Sequence, residues 1–163
     1  LTNWRDLDYL LVDMPPGTGD IQLTLSQSSP LTGAVVVTTP QDIALIDAKK
    51  GLKMFEKVNV PLLGIIENMS VFICPCCGEV THIFGEGGAK RMSEQYGVPM
   101  LGELPLSPAI REAADSGRPT VAAEPESAAA KMYRVIAMKI AGSIAKLGKD
   151  YTARMPTISV KND

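Results

Sequence analysis

Apolar residues come in short blocks separated by polar, Pro- and Gly-rich punctuation. Tyr9-Leu10-Leu11-Val12, Gly33-Ala34-Val35-Val36-Val37-Thr38, Leu62-Leu63-Gly64-Ile65-Ile66-Glu67 and the weaker Pro99-Met100-Leu101-Gly102-Glu103-Leu104 have the length and continuity of strands buried on both faces. Between them the period lengthens to that of helices. Asp20 is placed to cap a helix through Ile21, Leu23, Thr24 and Gln27, which Pro30 ends. Thr39-Pro40-Gln41-Asp42 supplies a hydroxyl cap, a Pro at the first helical position and an acid in the first turn. Leu45, Ala48, Leu52 and Phe55 then fall on one helical face. Glu86 to Tyr96 reads as a short helix closed by Gly97, and Ser107-Pro108 to Gly117 as another. Glu124-Pro125-Glu126 opens the last helix, with a stripe of Ala129, Met132, Tyr133, Ile136, Ile140, Ile144 and Leu147.

Strands alternating with helices predict an α/β domain with a mostly parallel sheet flanked by helices. One domain over 1–147 is expected, with an irregular cysteine-bearing insert at 71–85. Residues 148–163 form a polar tail in which Thr157-Ile158-Ser159-Val160 is a short edge strand or nothing regular. Ligands of parallel sheets lie at the carboxyl ends of the strands. Those ends are Asp13-Met14-Pro15-Pro16-Gly17, Thr38-Thr39-Pro40, Glu67-Asn68-Met69 and Leu104-Pro105-Leu106.

Composition narrows the classes. The chain has 163 residues, 45% of them apolar, and a formal net charge of −2, enough for one proper core. No Lys/Arg block exceeds two residues in a row, so bulk charge predicts neither nucleic-acid nor anionic-membrane binding. No apolar run approaches the roughly 20 residues of a membrane span. A cytoplasmic location is expected. The opening Leu1-Thr2-Asn3-Trp4 is neither a signal peptide nor an initiator sequence, so an N-terminal portion is expected to precede it.

Three features carry candidate chemistry. Tyr9 to Val12 followed by Asp13 has the shape of a Walker B strand, whose acid orders a hydrated magnesium ion beside a nucleotide; Asp is also a common turn residue at strand ends. Read as the end of a buried strand, Asp13 requires a partner. Gly17-Thr18-Gly19 fails both as a Walker A loop, which needs Gly, four residues, then Gly-Lys-Ser/Thr, and as a dinucleotide fingerprint. Cys74, Cys76 and Cys77 fall within four positions, which is no disulfide framework and reads as metal-binding or redox-active. Cys74 and Cys77 form a Cys-x-x-Cys, whose two thiolates reach one metal centre, whereas Cys76 is badly placed to join its immediate neighbour. A closed zinc site or an iron–sulfur cluster normally takes four protein ligands. His82 offers a third donor, or is simply a loop residue. Two chains about a twofold axis would provide four thiolates. A structural zinc clip remains an alternative. So does a thioredoxin-like redox site, although the segment after Cys77 lacks the helix that such a site needs.

Taken together and in order, Asp13-Met14-Pro15-Pro16-Gly17-Thr18-Gly19-Asp20, Thr38-Thr39-Pro40-Gln41-Asp42, Glu67-Asn68-Met69-Ser70, Cys74-Pro75-Cys76-Cys77-Gly78, Ile83-Phe84-Gly85 and Gly87-Gly88 resemble the Mrp/ApbC iron–sulfur cluster carrier proteins. These are relatives of the MinD and ParA ATPases with a deviant Walker A motif. The resemblance spans nearly the whole chain and implies a homodimeric P-loop ATPase. Such a protein binds a [4Fe–4S] cluster between subunits and delivers it to apo iron–sulfur proteins. It implies Asp13 as the Walker B acid ordering Mg2+ through water, and Pro15, Pro16 and Gly17 as the switch turn beside the terminal phosphate. Asn68 would bond the adenine edge of ATP, Pro105 would pack on the base, and Cys74 and Cys77 would ligate the cluster. Asp47 would lie near the dimer interface, or simply pair with Lys50. Two departures accompany the likeness. The phosphate loop and the aspartate that orients the attacking water are expected upstream of Leu1, so this chain corresponds to a C-terminal half and is expected to be inactive alone. Cys76 adds a thiol where the family usually has another residue. A MinD- or ParA-like positioning ATPase, or a zinc-binding interaction module, are the competing functions.

Overall fold

In the computed structural model, residues 5–15, 17 and 19–147 are described. Pro16 and the tail 148–163, with its expected edge strand, lie outside them.

The chain order is α1 (Asp20–Ser28), β1 (Ala34–Thr38), α2 (Asp42–Lys57), β2 (Leu62–Glu67), β3 (Phe72–Ile73), β4 (Val80–Thr81), α3 (Gly88–Tyr96), β5 (Met100–Glu103), α4 (Pro108–Asp115), α5 (Thr120–Ala123) and α6 (Ala128–Lys146). Strands β1, β2 and β5 form a parallel sheet in the order β1-β2-β5, joined by helical crossovers as the alternation requires. The central strand β2 is buried from Leu63 to Glu67. Its successive side chains go to opposite faces. Ile65 packs with Val36, Leu45, Ala48, Leu52, Ala89 and Met92 under α2 and α3, while Ile66 packs with Leu101, Leu104 and Ile136 under α6. The α2 stripe read from the sequence is therefore the core stripe, with Leu45, Ala48 and Leu52 buried.

Several boundaries move. The N-cap residue of α1 is Gly19, not Asp20, and that of α2 is Gln41, with Thr39 and Pro40 before the helix; neither cap residue makes a side-chain capping bond. The last helix starts at Ala128 behind Ser127, whose hydroxyl accepts the Ala130 N–H at 3.1 Å. Met132 and Leu147, both on the expected stripe, are exposed. The short helix α5 was not expected, and neither was the antiparallel β3–β4 ribbon inside the insert.

The largest correction concerns Tyr9 to Val12. They form no strand and are exposed, Leu11 to 87%. An apolar run becomes a buried strand only if a neighbour takes up its backbone groups and elements cover both its faces. Here β1 is the end of the described sheet, its outward Val37 is exposed, and no described strand pairs with 9–12.

Candidate nucleotide rim and cysteine turn

The three parallel strands end on one rim. Register places Thr38 beside Glu67 and Glu67 beside Glu103. The pairing continues past the strands: the Asn68 N–H bonds the Thr38 carbonyl at 2.7 Å, and the Leu104 N–H bonds the Glu67 carbonyl at 2.8 Å. The chain then turns at Met69, whose φ is +56°. The Ser70 N–H and hydroxyl both reach the Leu104 carbonyl, at 3.0 and 3.2 Å. The loops holding Asn68 and Pro105 are thereby stitched side by side. Asn68 is half-buried, and its Oδ1 accepts the Met69 N–H at 2.9 Å. That bond fixes the amide plane and leaves the Nδ2 hydrogens for an acceptor.

The described residues expected beside the phosphate, Asp13, Pro15 and Gly17, are all exposed. Asp13 is exposed, so its carboxylate is solvated and needs no buried partner, contrary to the expectation from a buried strand end. Pro15 is exposed and its carbonyl accepts a 2.8 Å bond from Nε2 of the buried Gln22, which ties the turn to α1. Gly17 has φ +95°, a conformation favourable only to glycine, with open space around it. A cavity of about 420 Å3 between Ser29, Leu31, Lys57 and Asn59 lies toward the amino ends of β1 and β2, away from the rim.

Glu67 is a site residue that sequence reasoning passed over. It is 1% exposed, and its Oε2 accepts the Ala89 N–H at 2.6 Å. Ala89 lies in the first turn of α3, where amides lack intrahelical acceptors and the helix dipole favours an anion. Gly88 makes the approach possible: a Cβ there would stand 2.7 Å from Leu45 Cδ1 and 2.9 Å from the Pro40 carbonyl oxygen. The signal was present as an acid closing an otherwise apolar strand.

The insert leaves this frame as the β3–β4 ribbon. It pairs Phe72 with Thr81 and Ile73 with Val80, and Phe72 also bridges to Leu106. At its tip the Cys74 N–H bonds the Glu79 carbonyl at 2.9 Å and the Gly78 N–H returns to the Cys74 carbonyl at 2.8 Å, with Gly78 at φ +76°. This turn carries all three thiols. Cys74 is half-buried, and Cys76 and Cys77 are exposed. The backbone N–H of Cys77, then that of Cys76, and the neighbouring thiols bond the Cys74 sulfur and hold its pKa below the ordinary thiol value, against a smaller opposing effect of burial. His82 braces the ribbon's base, with Nδ1 3.0 Å from the Ser70 carbonyl oxygen and Nε2 3.9 Å from Glu86. Among the described residues, no three His, Cys, Asp or Glu side chains converge as a metal site, so His82 does not complete one with the cysteines. Asp47 pairs with Lys50 at 2.9 Å on an exposed helix face.

Comparison with known proteins bears on the family and the fold. The profile of the ParA family, described as the NUBPL iron-transfer P-loop NTPase, matches residues 1–141. An iron–sulfur cluster carrier protein of Escherichia coli K12 is 61% identical over 143 residues, covering 88% of this chain and 39% of that protein. The mouse iron–sulfur cluster transfer protein NUBPL is 56% identical over 138 residues, covering 85% of this chain and 43% of its own length. The chain thus spans less than half the length of these relatives. Among solved structures, an ADP-bound nucleotide-binding protein of Archaeoglobus fulgidus superposes with a TM-score of 0.64 at 41% identity, over 75% of this chain and 49% of that one. The cell-division ATPase MinD of Pyrococcus furiosus gives 0.51 at 30% identity, over 72% and 44%. By profile, identity and fold alike, the chain belongs to the ParA/NUBPL family of iron-transfer P-loop NTPases.

Proposed function

We propose that the protein containing this chain is a cytoplasmic, homodimeric cluster carrier. It takes a [4Fe–4S] cluster as cargo on Cys74 and Cys77 of two subunits and passes it to apo iron–sulfur proteins, and ATP binding and hydrolysis govern the cycle. The observation that carries this reading is the cysteine turn. It holds a Cys-x-x-Cys on a partly exposed turn, with one thiol biased toward thiolate. Two donors per chain are half a tetrahedral set, and a twofold axis supplies the rest. Cargo held on a partly exposed turn is accessible to a recipient's thiolates by ligand exchange. The relatives named as cluster carriers and transfer proteins support the same assignment.

At the rim, Asn68 Nδ2 would donate to a ring nitrogen of adenine, and Pro105 on the adjacent loop would pack on the base. Asp13 would order Mg2+ through water, with Pro15, Pro16 and Gly17 beside the terminal phosphate. In this family's chemistry the phosphate loop supplies most of the positioning. No Walker A sequence occurs in the 163 residues, so ATP turnover is assigned to the full-length protein. No described helix is long and apolar enough to cross a membrane.

The test is anaerobic reconstitution of full-length protein with ferrous iron and sulfide, followed by absorbance and iron counting. Cys74→Ala and Cys77→Ala abolish cluster binding, and Cys76→Ala spares it. Equal loss in all three overturns the ligand assignment. Zinc without sulfide in material purified without oxygen makes the turn a structural zinc site, and no metal at all favours a positioning ATPase.

A further inference from the structure

The β3–β4 ribbon has two unlike faces. Phe72 is half-buried and bridges to Leu106, and the Leu106 N–H bonds the Val71 carbonyl at 2.8 Å, so this strand is fastened to the β5 side of the domain. Ile73 and Val80 are cross-strand partners whose side chains share the other face, and they are 54% and 59% exposed. A two-stranded ribbon is marginal in water. Placing β-branched apolar residues on its solvent side gains it nothing unless something covers them. Ile73 directly precedes Cys74, and Val80 follows Glu79, whose carbonyl closes the cysteine turn.

We propose that Ile73 and Val80 form the apolar half of the subunit contact at the shared cluster, packing against the same two residues of a second copy. This rests on the cluster-carrier function and adds to it the surface that holds the two half-cages together. A second copy is the occupant because the cysteine turn is incomplete without one, and a twofold axis that doubles the thiolates also doubles the apolar pair beside them. The patch is small. Two side chains per subunit fall far short of the roughly 800 Å2 per partner of a stable interface, so the contact persists only while sulfur–iron bonds reinforce it. Its second effect is to keep water from the cluster's flank, which steadies the metal–sulfur bonds. Cargo and dimer contact are therefore gained and lost together.

The experiment uses the full-length protein, reconstituted anaerobically with ferrous iron and sulfide and followed by sedimentation velocity over a range of protein concentrations. Ile73→Thr with Val80→Thr keeps the β-branching and removes the apolar contact. The protein concentration at half-loading is expected to rise by about tenfold or more, while the cluster formed at high concentration keeps the wild-type absorbance. Val80→Glu places like charges across the axis, so loading falls at low salt and recovers in about 0.5 M salt, a response that misfolding does not mimic. Variants that load and dimerise like wild type overturn the proposal. If they do so but no longer deliver the cluster to an apo iron–sulfur enzyme, the face belongs to the recipient instead. Wild-type protein that takes up no iron and sulfide refutes the underlying carrier function, an outcome distinct from either.

Discussion

The carboxylate of Glu67 caps the N-terminus of the helix that begins beyond the cysteine insert, through its 2.6 Å bond to the Ala89 amide. Glu67 ends β2 and Ala89 lies in the first turn of α3, so one buried hydrogen bond pins both roots of the segment that carries Cys74, Cys76 and Cys77. Removing the acceptor leaves a buried amide unpaired. Glu67→Ala is therefore expected to destabilise the domain by about 2–4 kcal/mol. Glu67→Gln, which keeps an acceptor but loses the charge, is expected to cost about 1 kcal/mol. Denaturant unfolding of the two variants checks the difference, and equal losses would show that charge rather than acceptor geometry holds the root.

The Cys74 sulfur sits among amides that favour its thiolate. A pKa lowered on folding means that the thiolate survives to lower pH in the folded protein than in the unfolded chain. Alkylation of Cys74 by iodoacetamide in apo protein, followed by peptide mass spectrometry, should titrate with a lower midpoint in buffer than in urea. Coincident midpoints would remove the turn's amides as the cause.

Residues 1–163 contain Asp13 and the Pro15–Gly17 turn but no Walker A loop. The purified piece is expected to show no magnesium-dependent ATP turnover in a steady-state assay, while the full-length protein turns ATP over. Turnover by the piece would mean that other residues of these 163 hold the phosphate.

Two stretches of this sequence have the same outline, an apolar run closed by an acid: Tyr9 to Asp13 and Leu62 to Glu67. The outline identified β2 correctly because β1 and β5 flank it and α2, α3 and α6 cover its two faces. It misjudged 9–13, which no described strand pairs with and whose residues stand in solvent. Periodicity records what a segment is suited to, and partners decide whether it gets there. The core stripe of α2 was legible from helical spacing, and the parallel sheet from the alternation of strands and helices. The β3–β4 ribbon was not, since two-residue strands around a cysteine turn are set by a few backbone bonds and have no period to read. At the site, the spacing marks Cys74 and Cys77 as a candidate pair, and the structure sets both on one turn closed by the Gly78 amide. The role of Glu67 was not legible, because it depends on an amide 22 positions away.

Sharing of the cluster between two subunits is tested most directly by native mass spectrometry of the anaerobically reconstituted full-length protein. A cage shared between subunits gives a species with one [4Fe–4S] cluster per two subunits that falls to apo monomer when the iron is chelated. A monomer that retains a full cluster, or a dimer that binds zinc and no sulfide, would contradict it.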